Sequence, residues 1–234
     1  MQSNPEIKIH ENEKLVEIAA GTTTLEGILG LPDTARGVVL FVHGAGSGRL
    51  SPRNNYVARI LRDNGFGTLL LDLVTVEEAE DRAKPVDVDF IANRVLVATD
   101  WLEENIDSKH LPVGYFAASS GAAPALVAAA RTAVAGGIPI TGERGAQALV
   151  CRGGLADQAR SHLAEVTMPT LLIVGGQDGP VIRVNEEAYK TLPGEKELAV
   201  IPGASHLFEE PGALEEVARL ATSWFRQYLR PGAD

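Results

Sequence analysis

The run Gly114-Tyr115-Phe116-Ala117-Ala118-Ser119-Ser120-Gly121 marks the point where a buried strand turns into a helix. Upstream, Val113–Ala117 is short and apolar, as a strand covered on both faces should be. Downstream, Ser120–Ala133 is rich in alanine and reads as a helix. Small residues on both sides of Ser119 let the backbone turn sharply there. Such a turn pushes the hydroxyl out at the carboxyl edge of a sheet, facing a helix amino terminus that favours negative charge. The local pattern is Ala-x-Ser-x-Gly, so Ala117 stands where the commoner pattern has glycine. Taken alone, the same residues also suit a serine helix cap.

Working outward, the pattern repeats. Val38–Val42, Thr68–Leu71, Ala146–Cys151, Thr170–Val174 and Glu197–Ile201 read as further strands. Between and after them, Asn54–Asn64, Phe90–Ile106, Asp157–Val166, Val181–Leu192 and Leu214–Leu229 read as helices. Alternation of this kind implies an α/β fold of parallel βαβ units around one sheet. Leu15–Ala20 and Thr22–Leu31 alternate apolar with small or polar residues, the mark of an antiparallel edge. The expectation is about eight strands, mostly parallel, with helices on both faces, residues 1–234 forming a single domain without a separate cap. The glycine-rich stretch Val134–Gly145 reads as a surface loop.

Two more polar residues fall just past strand ends. Leu171-Leu172-Ile173-Val174-Gly175-Gly176-Gln177-Asp178 ends on an acid, and Val200-Ile201-Pro202-Gly203-Ala204-Ser205-His206 ends on a histidine. The carboxyl edge is where open α/β sheets place their sites. A serine hydroxyl is a weak nucleophile until a base takes its proton. Histidine suits that task near neutral pH, with an ordinary pKa of ~6.5, and a carboxylate fixes its tautomer. Ser119 is thus expected to be the nucleophile, His206 the base and Asp178 its orienting acid. Asp178 also suits a turn, and His206 a surface position. The three together, in this order, favour the catalytic reading. His43-Gly44-Ala45-Gly46-Ser47-Gly48-Arg49 follows the first buried strand. The backbone N–H groups of Ala45 and Ser120 are the expected oxyanion donors. A phosphate loop is the rival reading, but no Gly-Lys-Ser/Thr or G-x-G-x-x-G completes it.

The chain has 234 residues, 45% of them hydrophobic, and a formal charge of −10. The acidic balance argues against nucleic acid and against an anionic membrane surface. The one cysteine, Cys151, excludes an internal disulfide and a multi-cysteine metal site. The opening residues show no basic segment followed by an apolar run, so a cytoplasmic protein is expected. No cofactor and no metal is expected.

With these residues in place, the chain resembles the dienelactone-hydrolase-like branch of the α/β-hydrolase superfamily. The resemblance is carried by FVHGAGSGRLSPRNNYVARIL (Phe41–Leu61), LLLDL (Leu69–Leu73), GYFAASSGAAPAL (Gly114–Leu126), RGG (Arg152–Gly154), TLLIVGGQD (Thr170–Asp178) and PGASHLFEEPGALEEVA (Pro202–Ala218). It implies an α/β-hydrolase fold and a serine esterase cleaving a small ester or thioester through an acyl-enzyme, as a monomer or homodimer. Acyl transfer or perhydrolysis on the same three residues, and a remodelled scaffold with little activity, are the alternatives. The named dienelactone hydrolases use a cysteine nucleophile, whereas Ser119 stands here. Ala117, Cys151 and Lys84–Val88 depart from the family pattern and are expected to face the pocket. Arg49, Cys151 and Arg152 are candidate substrate contacts, with Arg53 beside them. The rival reading pairs the arginines with acids such as Asp72 or Glu77 and buries Cys151 as a small hydrophobe.

Overall fold

The computed structural model describes residues 12–132 and 145–230; most of the loop expected over Val134–Gly145 lies outside them. One eight-stranded sheet organises the chain, in the order β1-β2-β4-β3-β5-β6-β7-β8. β1 (Glu13–Ala20) and β2 (Thr23–Gly30) form an antiparallel hairpin, and β2 lies antiparallel to β4 (Gly67–Leu71). The remaining pairs are parallel: β3 (Val38–Val42), β5 (Val113–Ala118), β6 (Ala146–Arg152), β7 (Thr170–Gly175) and β8 (Lys196–Ile201). β3, β4, β5 and β7 are buried at every residue, which is why they read as unbroken apolar runs.

Side chains alternate between two cores. On one face Val39, Phe41, Phe116, Val150 and Ile173 pack against α1 (Pro52–Asp63) and α6 (Ala213–Tyr228). On the other, Leu40, Val42, Tyr115, Leu149 and Leu172 meet α3 (Val88–Glu104) and α4 (Ala122–Thr132), with α5 (Gly179–Thr191) contributing Ala188. The short helix α2 (Val76–Glu80) follows β4 and is closed by a capping box between Thr75 and Glu78. Helix starts are well signed: Ser51 caps α1 before Pro52, and Asp87 caps α3 through a 2.9 Å bond from the Phe90 N–H.

The helix expected over Asp157–Val166 does not form. Two 3₁₀ turns, Ala156–Ala159 and Leu163–Glu165, replace it. Ala156, Ala159 and Leu163 are buried, and that spacing serves a tight turn as well as an α-helix. Among the described residues no helix is long and apolar enough to cross a membrane.

Within the larger core, the Tyr115 hydroxyl lies 2.7 Å from Thr99 Oγ1, which donates to the Val95 carbonyl at 2.8 Å. Tyr115 therefore donates to Thr99. Tyr115→Phe removes that bond and leaves Thr99 still paired. It should lower unfolding free energy by about 1 kcal/mol, read from urea midpoints; no change would show that the buried pair contributes nothing.

Candidate active site

The site grows out of five strand ends. β5 delivers Ser119, whose backbone sits in the left-handed region at φ 53°. That conformation costs a non-glycine residue roughly 1–2 kcal/mol. The turn is held because the Ser119 carbonyl accepts from Leu155 N–H at 3.1 Å and from the Ala122 N–H. Gly121 then passes beneath the end of β3. A Cβ there would stand 2.3 Å from the Val42 carbonyl oxygen and 2.7 Å from that of His43. The second glycine of the elbow is thus required by contact. Ala117 is different: its methyl is fully buried in the core, opposite Cys151 in the β5–β6 register. Neither departure from the family pattern faces a pocket: for Ala117 this is contrary to expectation, while Cys151 is buried as a small hydrophobe, as its rival reading had it; both fill core volume.

β7 delivers Asp178. Gly175 at its end abuts the loop after β8, where a Cβ would meet the Ala204 and Ser205 carbonyl oxygens at 2.5 Å. Asp178 occupies the cap position of α5, yet its side chain makes no capping bond. It accepts instead from His206 Nδ1, at 2.7 Å. A carboxylate partner fixes the proton on Nδ1 and leaves Nε2 an acceptor. Nε2 lies 3.0 Å from Ser119 Oγ. Ser119, His206 and Asp178, far apart in the chain, therefore form one continuous hydrogen-bonded relay.

The Arg152-Gly153-Gly154 segment braces this relay. Gly153, at φ 55°, passes so close to His206 that a Cβ would lie 3.4 Å from Cε1. A Cβ on Gly154 would meet that of Ala122 at 2.7 Å. Asn185 Nδ2 holds the Gly154 carbonyl at 2.8 Å.

On the oxyanion side, Gly44 lies against Ser120; a Cβ on it would stand 2.9 Å from Ser120 Oγ and 3.4 Å from Ser120 N. The two expected donor segments are adjacent. The Ala45 N–H is already engaged, however, donating to Ser120 Oγ at 2.9 Å. Sequence gave no sign of this side-chain role. His43 clamps the loop from below. Its Nδ1 lies 2.9 Å from the Gly44 carbonyl, so it carries the proton, and Nε2 accepts from Leu73 N–H at 3.1 Å. Burial lowers the His43 pKa from its ordinary value, only partly opposed by the Gly44 bond.

A cleft of about 650 Å³ opens over Ser119, lined in part by Gly44, Ala45, Arg53, Asn54, Arg152 and Leu207. Two of the expected substrate contacts are not in its wall. Arg49 is drawn aside by Asp72 and Glu26, as the rival reading had it. Cys151 is fully buried, and burial pushes its thiol up to about 12. Arg152 does line the cleft. Of the segment at Lys84–Val88, Lys84–Val86 forms a 3₁₀ turn and Pro85 reaches a smaller neighbouring cavity with Ser120 and His43.

Gly121→Ala should force the turn away from the end of β3 and lower unfolding free energy by about 1–3 kcal/mol, the usual cost of overpacking, read from urea midpoints. Wild-type stability would refute the contact argument. For His43, the neutral form is the one the fold holds. Its contribution to stability is fully present above pH ~6.5 and is lost as pH falls from there toward its depressed folded value. Urea midpoints between pH 5 and 7.5 should therefore rise more steeply with pH in the wild type than in His43→Gln; parallel curves would contradict the assignment.

No family model matches the chain. Solved structures do. A dienelactone hydrolase from Anabaena variabilis shares 51% identity, with TM-score 0.86, over 93% of this chain and 98% of that one. Est1E from Butyrivibrio proteoclasticus, at 15% identity and TM-score 0.73 over 91% of this chain and 98% of its own, shares the fold. So does a dienelactone hydrolase-like promiscuous phosphotriesterase, P91, at 16% and 0.72 over 93% and 98%. A Mycobacterium tuberculosis protein, provisionally named a phosphoribosyl transferase, is 48% identical over 214 residues in strains H37Rv and CDC 1551. Those residues are 92% of this chain but 46% of that protein, so the chain spans about half the length of its curated relatives. Fold, strand order and near-complete alignment at half identity lead to one assignment: the chain belongs to the dienelactone-hydrolase-like family of α/β-hydrolases.

Proposed function

We propose that the chain is a single-domain serine hydrolase that cleaves small carboxylic esters or thioesters through an acyl-enzyme on Ser119. The observation that carries this reading is the unbroken relay from Ser119 Oγ through His206 to Asp178, with spacings of 3.0 and 2.7 Å. His206 Nε2 takes the Ser119 proton as Oγ attacks the substrate carbonyl carbon. Asp178 stabilises the imidazolium that results. Negative charge grows on the carbonyl oxygen, beside the Ser120 and Ala45 N–H groups. Collapse expels the alcohol or thiol, which leaves with the proton held by His206. Water then repeats the sequence and releases the acid.

The Ala45 N–H donates to Ser120 Oγ, so it is free for this once that hydroxyl turns aside. Preorganised donors of this kind are typically worth ~10²–10³ in rate each. A cleft of about 650 Å³ suits a small molecule.

Rapid mixing with p-nitrophenyl acetate should give a burst of nitrophenol stoichiometric with enzyme. Ser119→Ala should abolish it and lower turnover by roughly 10³-fold or more. A fluorophosphonate probe should label Ser119 in the native chain. A folded sample that neither turns over short esters nor takes the probe would sink the reading.

A further inference from the structure

We propose that Arg152 and Arg53, with the amino-terminal turn of α1, form a subsite for a phosphate group borne by the substrate, beside the scissile ester. This rests on the hydrolase reading of Ser119 and names the substrate class it implies.

Arg152 is the anomaly. It ends β6 and is 7% exposed. Its Nε and Nη1 are shut away from solvent with no hydrogen-bond partner. The other deeply placed arginines each have an acid: Arg49 has Asp72 and Glu26, Arg62 has Glu13, and Arg94 has Glu78. Arg152 has no such pair among the described residues. An uncompensated buried cation is costly, and each such group in a native chain calls for a cause.

A second cation stands in the same wall. Arg53 lines the same cleft, also with an unpartnered Nε, and its Nη1 contacts Glu209 at 2.9 Å. Burial first, and then the Arg53 charge, lower Arg152 to about 10, so it remains a cation at neutral pH. Asp72 also lines the cleft, but Arg49 already holds it. The two guanidinium groups therefore have one acid between them, Glu209, and it pairs with Arg53.

Two further features bear on the subsite. The first turn of α1 carries no acidic residue, so its positive end is not offset. The Phe208 ring lies 5.8 Å from the Arg152 guanidinium, within cation–π reach. Phe208 is itself buried in a left-handed conformation, φ 56°, two residues after His206. A carboxylate would satisfy one guanidinium fork. Two guanidinium groups lining one cleft, with charge in excess, match a tetrahedral dianion better.

The test uses the intact chain with inorganic phosphate or acetate at constant ionic strength. Thermal unfolding and inhibition of p-nitrophenyl acetate turnover both read binding. Phosphate should raise the midpoint and inhibit competitively, with acetate at least tenfold weaker. Arg152→Gln should weaken the phosphate effect at least tenfold in both assays. Arg53→Gln, at a half-exposed position, should act in the same direction and decides the matter if Arg152→Gln does not fold. Phosphate acting equally on wild type and variants is an adventitious ion only, and overturns the subsite. Acetate matching phosphate, with both needing Arg152, overturns the phosphate assignment in favour of a carboxylate. Ester turnover without phosphate binding also overturns the subsite and leaves the hydrolase reading standing. Arg152-dependent phosphate binding without any ester turnover keeps the subsite and removes the hydrolase reading.

Discussion

Everything at the candidate site depends on how closely five backbone segments approach one another at the carboxyl rim of the sheet. Gly121 slides under the carbonyl groups that end β3, and Gly175 is pressed to the carbonyls of the histidine loop. Gly153 lies against the imidazole itself. A side chain at any of these points would force loops apart by tenths of an ångström or more. Ser119 carries its side chain through a left-handed turn at the centre of this arrangement. Its strain is of order 1–2 kcal/mol. The two hydrogen bonds accepted by its carbonyl, each worth about 1 kcal/mol, are of the size needed to hold it.

The same compression redirects polar groups from local duties to distant ones. Asp178 sits where a helix cap belongs, yet gives its carboxylate to His206. Ser120, one residue into the helix start, spends its hydroxyl on the loop after β3. His43 ties that loop to the segment after β4, through Gly44 on one side and Leu73 on the other. Local stability is given up at each place, and the gain is a set of fixed positions around one hydroxyl. Such departures from local rules concentrate at functional sites.

Much of this was legible before coordinates. The continuous apolar runs of β3, β5 and β7 announced buried parallel strands, and polar residues just beyond them located Ser119, Asp178 and His206. Side-chain partnerships across the sheet are only partly legible. Asp72 is among the acids the sequence offers to the arginines, whereas Glu26 is not, and only the loop geometry selects the pair. Ala117 and Cys151 are expected at the pocket only as departures from the family pattern; strand alternation turns both inward. Asp157–Val166 misled because spacings of three and four residues serve both helix types. The box that closes α2 was present as Thr75-x-x-Glu78 and signals a helix start even ahead of so short an element.

Cys151 has a consequence beyond packing. Its thiol is the only sulfhydryl in the chain, lies at 0% exposure and is held near pKa 12 by burial. Reactivity toward alkylating agents and oxidants requires thiolate and access, and the native chain offers neither. The residue is thus a built-in clock for opening of the central sheet, since a maleimide or disulfide reagent can reach it only when β6 parts from its neighbours.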